Sequence, residues 1–151
     1  MTSWIMSDEP KVIRSAFGKN DEPGTTMAGL VISQQLTDQK DLKTGKPKMR
    51  GGKTVPQLEV VILTQEKTDP DDDGARKLFV RGNLQKAIKK AILDAGDDDL
   101  RNGSRITVQF TGTGTAFSAD YAPPKLYRAK YEPPNDDSIA EVAAYLGQDD
   151  E

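Results

Sequence analysis

One segment of this chain has the periodicity of an amphipathic helix, and its position constrains the fold more than any other feature. Residues 83–95 (NLQKAIKKAILDA) place Leu84, Ala87, Ile88, Ala91, Ile92 and Ala95 on one apolar stripe. Asn83 is a favourable N-cap for it, and Gly96 a favourable residue at its end. Strand-like segments flank it on both sides. Residues 25–36 (TTMAGLVISQQL), 57–65 (QLEVVILTQ) and 77–81 (KLFVR) precede it, and 105–111 (RITVQFT) and 125–132 (KLYRAKYE) follow. The second of these is the clearest, being dense in β-branched residues.

Three strands, a helix and two strands is the order of a five-stranded OB barrel, whose helix plugs the bottom between strands three and four. The expected fold is therefore mostly β, an OB-type barrel with one helix in that slot. Gly29 sits where a barrel strand often bends. Residues 1–24 read as an N-terminal extension, with Trp4, Val12, Ile13 and Phe17 available to pin it to the barrel. Residues 25–134 are the barrel, and 135–151 an acidic C-terminal tail. Within the tail, residues 138–146 have the spacing of a short helix, with Ser138 and Glu141 placed as a capping box.

Composition removes most chemistry. The chain has no cysteine and no histidine, which excludes disulfides, thiolate catalysis and the commonest general base and metal ligand. The acids fall in runs such as Asp71–Asp73 and Asp97–Asp99, the habit of solvated turns, and no two stand out as a catalytic pair. Asp69–Gly74 imitates the start of an EF-hand loop, but Val80 stands where the bidentate glutamate is needed. Gly51-Gly52-Lys53-Thr54 resembles the end of a P-loop, but Pro47 replaces its first glycine and Pro56 blocks the helix that should follow. Gly112-Thr113-Gly114 is half of a dinucleotide fingerprint, with Phe117 in place of the third glycine. The protein is expected not to be an enzyme and to need no cofactor or metal. No apolar run approaches the ~20 residues of a membrane helix. The opening residues lack a signal-peptide layout, so a cytoplasmic location is expected.

Charge points to a binding role. The net charge is −3, yet residues 132–151 hold seven acids and no base, which leaves 21 bases against 17 acids in residues 1–131. Residues 37–56 form a long polar stretch with Lys40, Lys43, Lys46, Lys48, Arg50 and Lys53 at near-regular spacing. Such a loop between the first two barrel strands can follow a phosphate backbone, each cation displacing a condensed counterion. In residues 77–81, alternation sends Leu78 and Val80 inward and Lys77, Phe79 and Arg81 outward. An outward aromatic between two cations suits base stacking. Alternatively, Phe79 covers a core edge. Tyr127 and Tyr131 share a face of the last strand, and Tyr127 is a further stacking candidate unless both finish the core. Arg105 is a weaker candidate.

The strings Gly45-Lys46-Pro47-Lys48, 56–64 (PQLEVVILT), 71–82 (DDDGARKLFVRG) and 124–134 (PKLYRAKYEPP) resemble a family of OB-fold single-stranded DNA-binding proteins of actinobacterial phages. The resemblance spans residues 14–134. It implies sequence-independent binding of single-stranded DNA in phage replication or recombination, inside the bacterial host. Members often carry an aromatic near the position of Met49, where this chain has none. The acidic tail is then a candidate for recruiting replication or recombination proteins and for competing with DNA, and homo-oligomers are compatible with it. The alternative is a phage-encoded interaction or inhibitor module that binds a host protein through the same surface. An acid-dependent nuclease is the third reading.

Overall fold

The structure, a computed structural model, describes residues 13–18, 21–40, 44–115 and 123–147. Its elements are β1 (Arg14–Ser15), β2 (Thr26–Asp38), β3 (Met49–Arg50), β4 (Lys53–Thr54), β5 (Pro56–Leu63), β6 (Ala75–Val80), α1 (Gly82–Asp94), β7 (Arg105–Thr113), β8 (Lys125–Glu132) and α2 (Asp136–Gly147). The protein is mostly β. Six strands form one curled half-barrel sheet in the order β1-β6-β5-β2-β7-β8, and β3 and β4 form a separate ribbon.

The five expected strands correspond to β2, β5, β6, β7 and β8, with α1 in the expected slot. Two expectations need correction. The sheet has a sixth strand, because Arg14 and Ser15 of the N-terminal extension pair in parallel with Arg76 and Lys77. The stretch 37–56 is largely structured, since β2 runs on to Asp38 and a ribbon follows. The helix expected in the tail is present as α2, longer than residues 138–146 at its start, and it packs on the sheet.

The length of β2 follows from its double duty. Its first residues pair with β7 and its later ones with β5, and a register shift between Val31 and Ser33 lets it bend from one half to the other. Close approach explains Gly29: a Cβ there would lie 2.5 Å from the Leu63 carbonyl oxygen.

Period-two alternation gives the sheet two apolar faces. Val31, Val60, Ile62, Leu78, Ile106, Val108 and Tyr131 line the inner face against Leu84, Ile88, Ala91 and Ile92 of α1. On the outer face, Leu30, Ile32, Val61 and Ala75 pack under Val142 and Tyr145 of α2. Each buried aliphatic side chain contributes about 1.5–3 kcal/mol relative to exposure.

The helix termini show how local chemistry settles boundaries. α1 begins at Gly82, and its N-cap is Arg81, extended and without a side-chain cap, so Asn83 is not the cap. Asn83 Nδ2 instead donates to the Lys125 carbonyl at 3.0 Å and ties α1 to β8. At the other end Gly96, with φ of +81°, donates to Leu93 O and Asp97 N–H reaches Ile92 O. That pair of bonds is a Schellman stop. In α2 the capping box lies three residues earlier than expected. Asn135 Oδ1 accepts from Ser138 N–H at 2.8 Å, and Ser138 Oγ accepts from Asn135 N–H at 2.9 Å.

Candidate nucleic-acid interface

The outer face of the sheet is divided in two. Toward the β5–β6 turn it is apolar and covered by α2. Toward the other end it turns polar and stays open. On β6, Leu78 and Val80 are 1% and 6% exposed, while Phe79 between them is 38% exposed. Antiparallel register places Glu59 opposite Phe79, Val61 opposite Lys77, and Gln57 opposite Thr37 of β2. A groove of about 600 Å³ runs over this surface, floored by Gln57, Glu59, Phe79 and Arg81 and walled by Lys40 and Pro47.

Two of the three outward residues are tethered. Lys77 Nζ lies 2.7 Å from Glu59 Oε1. Arg81 donates to Gln57 Oε1 at 3.1 Å. A guanidinium has five N–H donors, so this bond orients Arg81 and leaves most of its donors for a ligand. The Glu59 carboxylate, which would repel a phosphate, is neutralised by Lys77, and Asp38 remains on the rim.

The cationic stretch rises beside this groove as a hairpin. Backbone bonds from Lys48 to Gln39, Gln39 to Val55 and Val55 to Lys48 build its base. At its tip Gly51 and Gly52 have φ of +60° and +79°, the two positive values that a two-residue type I′ turn requires. The turn sets Arg50 directly opposite Lys53. Lys46, Lys48, Arg50 and Lys53 are all exposed, and among the described residues none is in an ion pair. Lys43 lies outside the described residues.

Tyr127 is placed elsewhere. It is on the inner side of β8, half-buried, with its ring 5.6 Å from Phe17 and 5.8 Å from Phe110. There it joins the N-terminal segment to the last strand, and burial together with Asp21 pushes its phenol upward in pKa. Tyr131 is a core residue whose hydroxyl donates to Asp97 Oδ2 at 2.9 Å. The structure thus gathers Phe79, Arg81 and Lys40 on one groove, with Lys77 beside Phe79 on β6 and the hairpin rising from the groove's rim at Pro47, and it places Tyr127 on the inner face of the sheet.

The Asp-rich turn is a structural knot rather than a free acidic loop. Asp72 is buried and accepts bonds from Thr68 N–H, Gly74 N–H and Arg76, with Arg14 at 2.8 Å. The Arg76 bonds and these backbone donors hold its carboxyl far below the usual carboxylate range. Two guanidinium groups therefore occupy the place a cation would take. Among the described residues no group of three or more acids is placed to hold a metal.

Gln57, Glu59 and the Glu59–Lys77 pair are the parts of this surface that sequence reasoning passed over. Alternation along β5 carried the signal, since Gln57 and Glu59 interrupt its apolar run on the face opposite Val60 and Ile62. Only the register shows which β6 residues they meet. Among known proteins, no family model, no curated protein and no solved structure matches this chain.

Proposed function

We propose that the protein binds single-stranded DNA with little sequence preference, in phage DNA replication or recombination, on an OB-type barrel. The pairings β2–β5, β5–β6, β2–β7 and β7–β8, with α1 between β6 and β7, support the OB reading. In such barrels the face of the second and third strands, here β5 and β6, is the usual binding surface.

The observation that carries the reading is the exposed Phe79 on that face, set between Lys77 and Arg81 beside a hairpin of exposed cations. The ring offers a π-surface to a base, worth about 1–3 kcal/mol, and Arg81 and the hairpin offer charge to the flanking phosphates. Arg50 and Lys53, opposed across the hairpin tip, repel each other in the free protein. A phosphate between them would turn that repulsion into attraction.

The test is fluorescence anisotropy of a labelled oligo-dT titrated with the protein at low and moderate salt, with matched duplex and RNA as competitors. Salt-sensitive binding that prefers the single strand supports the reading. No binding at low salt would sink it.

Asp38 and Glu59 on the groove favour a second reading, a module that binds a host protein. In that case Phe79 is an interface anchor and the mixed charges meet complementary ones. Neither reading assigns a reaction to the chain.

A further inference from the structure

A second cleft lies between α1 and β8. It has a volume of about 300 Å³, and its walls include Lys90, Asp94, Thr111, Tyr127 and Arg128. Ala87, Lys90, Ala91 and Asp94 follow one another at helical spacing, so one stripe of α1 faces it. The two alanines keep the helix side open, and Tyr127 supplies a half-buried aromatic wall. Lys90 and Arg128 are exposed and, among the described residues, neither is in an ion pair, whereas Arg14, Arg76, Lys77 and Arg101 all are. Asp94 is the acid on this cleft.

Arg81 stands between the two cavities, since the cleft opens at Ala87, six residues along α1, about 9 Å at 1.5 Å per residue. Arg81 lines the Phe79 groove and is also the N-cap of α1, the helix that walls the second cleft.

We infer that a bound single strand continues from the Phe79 groove past Arg81 into the α1–β8 cleft, where Lys90 and Arg128 hold its phosphates. This rests on the single-strand reading above. The path is longer than the outer sheet face alone, so it makes affinity depend on strand length. A strand of about 6 nucleotides fills the groove, whereas one of about 16 also reaches the cleft, both within the range of OB site sizes.

The test compares these two oligo-dT lengths on the unmodified protein and on a Lys90→Gln/Arg128→Gln double variant. For the long strand, the double variant is expected to bind roughly tenfold more weakly at low salt. Its log–log salt slope should fall by about 1.4, two phosphate contacts at about 0.7 each. The short strand should bind both proteins alike, which also shows that the variant is folded. Equal loss on both lengths, or no loss on the long strand, overturns the path while leaving the groove intact. Failure of the unmodified protein to bind either length overturns the single-strand reading and this inference with it.

Discussion

Arg50 and Lys53 face each other across the tip of the β3–β4 hairpin, a like-charged pair held in register by the Gly51-Gly52 turn. Like charges directly opposed on a ribbon destabilise it by a fraction of a kcal/mol. Replacing both by Gln should leave the melting temperature unchanged or slightly raised. It should also reduce the salt slope of oligo-dT binding by about 1.4. A calorimetric scan together with a salt titration checks both halves, and an unchanged slope would place the hairpin outside the interface.

Phe79 separates the binding surface from the core. Phe79→Ala should weaken single-strand binding by about 1–3 kcal/mol, the value of one stacked base. The melting temperature should move little, because Leu78 and Val80 and not Phe79 face the core. Anisotropy and thermal melting on the same preparation distinguish the cases. A large loss of stability with intact binding would make Phe79 a packing residue.

Gly29 tests the bend in β2. Gly29→Ala drives a Cβ to within 2.5 Å of the Leu63 carbonyl oxygen and 2.9 Å of its carbon, both backbone atoms with little room to yield. Overpacking of this kind costs about 1–3 kcal/mol. Urea denaturation should show a lower midpoint at an unchanged slope.

Asp72 makes the fold acid-sensitive. Its folded pKa is depressed, chiefly by Arg76, so its contribution to stability is fully present above the unfolded carboxylate value of about 3.9. That contribution is lost as pH falls below this value toward the folded pKa. Asp72→Asn leaves the Arg76 guanidinium buried without its partner charge, so it should lower stability at neutral pH. It should also flatten the acid limb of the stability–pH curve. Denaturation midpoints from pH 7 down to about pH 2 decide the matter, and parallel curves for both proteins would contradict it.

The tail calls for a narrow truncation. Removing α2 would uncover Leu30, Ile32, Val61 and Ala75, so a long deletion confounds binding with folding. Deleting residues 148–151 removes three carboxylates beyond α2. Competition between tail and DNA predicts severalfold tighter oligo-dT binding at low salt, with the difference fading at high salt. Equal affinities at low salt would show that these acids do not compete.

The five main strands, α1 and the inward or outward sense of residues 77–81 were legible in the sequence, because side-chain periodicity is a local property. Gly96 as the end of α1 was legible for the same reason. The missed N-cap shows the limit of that logic. Asn83 has the chemistry of a cap, but its amide is drawn to the Lys125 carbonyl, some forty residues away in the chain. The parallel strand at Arg14–Ser15 was also out of reach, since two residues carry no period and gain their partners only from β6.

By itself, the sequence determined the alternation that buries Leu78 and Val80 and the density of cation along residues 40–53. It also determined the lack of histidine and cysteine. Only the tertiary structure decided that α2 covers one half of the outer face and leaves Phe79 open, that Glu59 neutralises Lys77, and that Tyr127 turns inward against Phe17. Those outcomes depend on register and docking between segments far apart in the chain, and no local pattern encodes which distant partner a side chain will meet.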